Sequence, residues 1–292
     1  MNTKAIREEE LDEALVVQPA PELRLWRELF VGFDWISLRT SPVFFGIGLP
    51  RGEGCPVVVV PGLFGSDAYL VELHRWLERV GYRSYYSEIG TNIECPRVAV
   101  ERLLHTVEKV RRETGSRVRL IGHSLGGLLA RGAALRRPDL IAQVITIGTP
   151  VNGLRVHPAV LAAARLINEN CGDDCLSWLQ APLSGSVSEA SIFSRTDGVV
   201  DWRTCVPAGT TPRVEVRGTH VGLVVNREVY LALAELLLSR GGRGRSSWNR
   251  CGRAGLRLVR GGLHQAPRDG NRTTTGVNTT RRLFTRRTKS RS

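Results

Sequence analysis

The sequence predicts a three-layer α/β fold with a mainly parallel central sheet and a small inserted cap. Three observations carry this. Short apolar β-branched runs alternate with amphipathic helical segments from Pro21 to Arg240, the pattern of crossover units in a sheet covered on both faces. The run Val57-Val58-Val59-Val60, bounded by Pro56 and Pro61, is apolar at every position, as in a strand buried on both sides. Finally, Gly122-His123-Ser124-Leu125-Gly126 lies between such a strand and a helix.

Taken in order, Leu25, Trp26, Leu29, Phe30, Phe33 and Ile36 recur at helical spacing and predict an amphipathic helix bent near Gly32. It is expected to pack on the domain core, a membrane-surface role being the alternative. After the valine strand, Asp67 to Val80 reads as a helix ended by Gly81 and Tyr82 to Ser87 as a strand. Pro96 to Thr114 reads as a helix ended by Gly115, Arg117 to Ile121 as a strand, and Leu125 to Arg137 as a helix stopped by Pro138. Ile141 to Ile147 predicts a strand, Pro158 to Ile167 contains a helix, and short strands follow near Ser191 to Ser194 and at Arg213 to Val216. A final helix is expected from Leu223 to Ser239. The 292 residues fit one such domain, 22 to 240, with a cap within 151 to 190 and a flexible segment at 1 to 21.

The formal net charge of +13 suggests nucleic acid until it is placed along the chain. Residues 1 to 240 hold 27 of the 41 Lys and Arg and 27 of the 28 Asp and Glu, so that body is neutral. The excess belongs to 241 to 292, a Gly, Ser, Thr, Asn and Arg segment without an apolar run, expected to be disordered. A solvated extension is the expectation there, with weak contact to polyanions or anionic membrane through its arginines as the alternative and a frame error as a further one. No motif for specific nucleic-acid recognition is present.

The first twenty residues are acidic and lack the basic start and apolar stretch of a secretory signal, and no run of about 18 apolar residues suggests a membrane span. The expected location is the cytoplasm, with a peripheral membrane position as the variant. The six cysteines are dispersed, so free thiols are expected, with Cys171 and Cys175 near enough for a local bridge. A lone C-x3-C offers two of the roughly four ligands zinc needs, so no metal is expected.

Ser124 sits where a strand-to-helix turn would expose a nucleophile, and glycines on both sides give that turn room. A serine hydroxyl needs a base, and the base needs an orienting carboxylate, in the chain order Ser, Asp/Glu, His. His74 and His105 precede the nucleophile, His123 adjoins it and is expected to point elsewhere, His157 opens a helix, and His264 is in the tail. His220 remains, in a loop after the last strand, where such sheets place their chemistry. Asp197 occupies the preceding strand-end loop and is the expected carboxylate, with Asp201 as rival. Leu125 N–H, at a helix start, and Leu63 N–H, in Pro61-Gly62-Leu63-Phe64-Gly65-Ser66, are the expected oxyanion donors. Phe64 and Val221, with Leu63 and Leu125, would line an apolar acyl pocket.

These motifs, with Ile147-Gly148-Thr149-Pro150, Thr196-Asp197-Gly198-Val199-Val200 and Gly218-Thr219-His220-Val221-Gly222-Leu223, resemble the α/β-hydrolase superfamily, in particular its bacterial lipases and esterases, over about Pro42 to Arg240. The resemblance implies a cofactor-free hydrolase of lipid or other apolar esters whose acid aligns with Asp197. It departs at position 61, where such lipases usually carry His and this chain carries Pro, removing a side chain that often braces the oxyanion loop. An acyltransferase using the same three residues, or a non-catalytic binding module on the same fold, are the competing readings.

Overall fold

A computed structural model describes residues 24–168, 176–207 and 211–238. The predicted tail and the Cys171–Cys175 pair lie outside these residues, as does the segment 1 to 21. Among the described residues six strands form one sheet: β1 (Pro56–Val60), β2 (Arg83–Tyr86), β3 (Val118–His123), β4 (Ile141–Ile147), β5 (Ser188–Ser194) and β6 (Arg213–Val216). Their order is β2-β1-β3-β4-β5-β6, and every neighbouring pair is parallel.

The valine run shows why both faces must be covered. Val57 and Val59 enter a core with Leu73, Trp76, Leu77, Tyr230 and Leu233, whereas Val58 and Val60 enter one with Val100, Leu103, Leu128 and Leu129. Side chains alternate across a strand, so an all-apolar strand requires a layer on each side. Helices α2 (Val71–Arg79) and α6 (Arg227–Leu236) cover one face, and α3 (Pro96–Thr114) and α4 (Leu125–Arg136) the other. Between β4 and β5 the described chain carries α5 (Pro158–Asn168) and a 3-10 turn at Ser177–Gln180. Buried Arg131 of α4 secures that turn, donating to Leu179 O and Ala181 O and pairing with Glu189 of β5.

Two helix starts and the thiol state depart from expectation. The Asp67 to Val80 segment begins with a 3-10 turn at Asp67–Leu70 before α2. The last helix is likewise divided: a 3-10 turn covers Val221–Val225, and Asn226 Oδ1 accepts from Glu228 N–H and Val229 N–H to start α6 afresh. The free-thiol expectation fails at Cys95, which is disulfide-bonded, because dispersal along a sequence does not measure distance in a fold. Cys55 and Cys205 are buried thiols.

The N-terminal segment is a 3-10 turn, Leu25–Phe30, running into α1 (Val31–Arg39). Its apolar periodicity faces the opposite way from the expectation: Leu29 is 82 % and Phe33 71 % exposed, and Leu25, Trp26, Phe30 and Ile36 are exposed too. The segment docks instead through Leu38, which enters the core, and through Glu28 and Asp34, which bond to the loop around His220. Among the described residues no helix is long and apolar enough to cross a membrane.

Candidate active site

Ser124 is the single residue between β3 and α4, at φ +53° and ψ −125°. For a residue with a Cβ this left-handed conformation costs about 1–3 kcal/mol and persists only where neighbours enforce it. Here they do: Ser124 N–H donates to Ile147 O at 2.8 Å, and Ser124 O accepts from Thr149 Oγ1 at 2.9 Å. The flanking glycines are needed for approach. A Cβ on Gly122 would strike the backbone of Gly126 and Gly127, and one on Gly126 would strike the carbonyls of Val60 and Pro61.

The loops after β5 and β6 meet beside this turn. His220 Nδ1 is 2.7 Å from Asp197 Oδ2, and both residues are buried. The second carboxylate oxygen, Asp197 Oδ1, accepts Val199 N–H and Val200 N–H, each at 2.8 Å, so the carboxylate is held at both ends. Burial pulls the His220 pKa down, but the charge of Asp197, its hydrogen bond and the charge of Glu28 outweigh it and raise the imidazole above its ordinary value. The rival Asp201 is placed elsewhere: it accepts Arg203 N–H and pairs with Arg155 and Arg203. Among the described residues no hydrogen bond joins Ser124 Oγ to the His220 ring.

His123 does not point away from the site. Its ring lies 4.8 Å from that of His220, its Nε2 is 3.0 Å from His220 O, and its Nδ1 is 2.7 Å from Tyr69 Oη. Burial, and then the neighbouring His220, push its pKa down to about 3, so it is a neutral strut at ordinary pH.

The loop Pro61 to Ser66, the candidate source of an oxyanion donor, is ordered by residues that no motif announced. Gly62 N–H donates to Tyr69 Oη at 3.0 Å, Phe64 N–H donates to Asn92 O at 3.0 Å, and Asn92 Nδ2 donates to Pro61 O at 2.8 Å. The N–H groups on either side of Leu63 are therefore committed, and Leu63 N–H is the donor left between them. Leu125 opens α4, so its N–H is among those for which a helix supplies no acceptor. Gly62 brings this loop against Ser124: a Cβ there would sit 3.1 Å from Ser124 Cβ. Tyr69 and Asn92 thus supply the bracing that Pro61 cannot. Phe64, at φ +61°, projects a side chain 58 % exposed, and Val221 is 44 % exposed; both lie on the surface rather than in a closed pocket. Among the described residues no cluster of three or more His, Cys, Asp or Glu could hold a metal ion.

Sequence reasoning missed one contact to His220. Glu28 Oε1 accepts His220 N–H at 2.9 Å and Glu28 Oε2 accepts Val221 N–H at 2.8 Å. Nothing in the local sequence around Glu28 signals this, since the partner is 192 residues away.

Residues 56–195 match the family model for palmitoyl protein thioesterase. A triacylglycerol lipase of Pseudomonas fragi is 34 % identical over 180 residues, 54 % of this chain and 59 % of that protein. One from Burkholderia plantarii is 37 % identical over 131 residues, 42 % of this chain and 37 % of that protein. The chain therefore spans between 37 % and 59 % of the length of these curated relatives. The mature lipase BlEst2 of Bacillus licheniformis superposes with a TM-score of 0.50 at 15 % identity, covering 65 % of this chain and 95 % of that one, a likeness of fold. The family match includes the turn at Ser124 and stops short of Asp197 and His220.

Proposed function

We propose, from the premise that this chain is a lipase/esterase-like α/β-hydrolase, that it hydrolyses carboxylic esters with apolar acyl groups through an acyl-enzyme on Ser124. The observation that carries this reading is the buried Asp197–His220 pair at 2.7 Å beside a serine on a strained strand-to-helix turn. Asp197 holds the proton of His220 on Nδ1, which leaves Nε2 free to take the Ser124 hydroxyl proton as Oγ attacks the ester carbonyl. The carbonyl oxygen gathers negative charge and is met by Leu63 N–H and Leu125 N–H, the second assisted by the α4 dipole. Imidazolium then gives its proton to the departing alcohol. Water, deprotonated by the same nitrogen, attacks the acyl carbonyl, and Oγ leaves with the proton. Asp197 stays ionised throughout, stabilising the imidazolium.

The thioesterase match extends the substrate class to acyl thioesters, which the same chemistry cleaves with a thiol as leaving group. Exposed Phe64 and Val221 support an apolar acyl group entering from the surface. The disulfide at Cys95 favours an oxidising compartment over the cytoplasm. The test is Ser124→Ala against p-nitrophenyl esters and acyl thioesters of increasing chain length, with fluorophosphonate labelling. Loss of both turnover and labelling is expected; retained turnover would overturn the reading.

A further inference from the structure

We propose that Glu28 is a positioning residue for His220, holding its backbone through a two-pronged carboxylate contact and facing its imidazole with a second negative charge. The inference rests on the hydrolase reading above, because it assigns Glu28 a role only through the base. Three observations carry it. Both Glu28 oxygens are used, one on His220 N–H and one on Val221 N–H, so the carboxylate fixes the backbone on both sides of the residue proposed as the base. Charged acceptors make the stronger class of hydrogen bond, and a paired set fixes orientation as well as distance.

The same turn also touches the acid's loop. Gly198, next to Asp197, packs so closely on it that a Cβ there would lie 3.1 Å from Glu28 Oε1 and against Arg24 O. One turn from the start of the described chain therefore holds the loops of both acid and base. The third observation is Asp34, six residues on, whose Oδ1 accepts from Asn226 Nδ2 at 2.7 Å at the far end of the Val221–Val225 turn. Its other oxygen presses on Gly222, where a Cβ could not fit. The segment is thus pinned to the histidine loop at two points.

The ionisable groups around His220 are Asp197 from the loop after β5, Glu28 and Asp34 from the N-terminal segment, and His123 from β3. His123 is neutral at ordinary pH, and Glu28 is among the groups that raise the His220 pKa. Removing its charge should therefore make His220 lose its proton at lower pH. A residue that only supports the fold would alter stability without moving that titration.

The experiment measures kcat, KM and the acidic limb of kcat/KM for a soluble p-nitrophenyl ester in the full chain and in Glu28→Gln, beside Ser124→Ala and a thermal midpoint. Glutamine keeps one acceptor oxygen and loses both the charge and the second acceptor. The expected result is a kcat lowered at least about tenfold with KM changed little, as for a misplaced catalytic group. The acidic limb should move to lower pH by on the order of half a unit. An unmoved limb overturns the proposal, even if the thermal midpoint falls. Should Glu28→Gln not fold, Glu28→Asp decides: the charge stays but its reach shortens, so the limb should hold while kcat falls several-fold, and full kcat overturns the proposal. Turnover surviving in Ser124→Ala would instead reject the underlying serine mechanism, so the two failures are distinguishable.

Discussion

Replacing Asp197 by Asn changes one atom's chemistry and leaves the shape. Asp197 Oδ1 is fixed by two backbone N–H donors at 2.8 Å, so the amide oxygen of Asn must take that place. Its NH2 is then turned toward His220 Nδ1, 2.7 Å away in the parent protein. An NH2 can only donate there, which forces the imidazole proton onto Nε2, the atom that must receive the serine proton. A tautomer error of this kind costs about 10⁴ in kcat, roughly 5 kcal/mol of barrier. The residual activity should also keep its acidic limb at lower pH. With the charge and the accepting oxygen of Asp197 gone, burial, already the largest single influence on His220, is opposed by Glu28 alone and lowers its pKa.

The assay is kcat and kcat/KM on a soluble ester from about pH 5 to pH 9, the range in which a histidine titrates, with thermal unfolding as the control for folding. Asp201→Asn is the comparison. Asp201 serves Arg203 N–H and two partly exposed arginines, so its loss should lower the midpoint while kcat stays within about threefold. A loss below tenfold in Asp197→Asn, or equal losses in the two variants, would refute the assignment.

Two further outcomes follow from the loops around the site. Tyr69→Phe removes the acceptor of Gly62 N–H and the partner of His123 Nδ1; stability should fall by about 1–3 kcal/mol in urea titration. In the same variant kcat should fall more than KM rises, by on the order of tenfold, because the donor at Leu63 is less well held. Arg131→Met leaves the partly buried Glu189 without its partner and strands the carbonyls of Leu179 and Ala181. Its expected cost is about 3–5 kcal/mol in equilibrium unfolding, and a change under 1 kcal/mol would show the ion pair to be dispensable.

The sheet was legible because its information is local. Val57 to Val60 can satisfy their apolar character on both faces only in a central strand, and Pro96 and Gly115 mark the ends of α3 as directly as any contact could. Ser124 was legible for the same reason, since the turn and the glycines that allow it lie within five residues. His220 emerged by elimination and Asp197 by its place after a strand. What could not be read was which side of an amphipathic segment meets the protein. Leu29 and Phe33 have the periodicity of a core face, yet the docking side is defined by Glu28 and Asp34 through partners near residue 220. Tyr69 and Asn92 were equally silent, because a hydroxyl and an amide gain meaning here only from the backbone groups that reach them.

The clasp between Glu28 and His220 also bears on the order in which the protein becomes competent. The serine turn is assembled from β3 and α4, adjacent in the chain, and can form with the centre of the sheet. The clasp closes a loop of 192 residues, and contacts of such separation are entropically costly until the intervening chain has folded. Nucleophile geometry should therefore precede base geometry during folding. A refolding experiment would then find compact protein and native sheet before it finds turnover, with the interval set by docking of the Leu25–Phe30 turn.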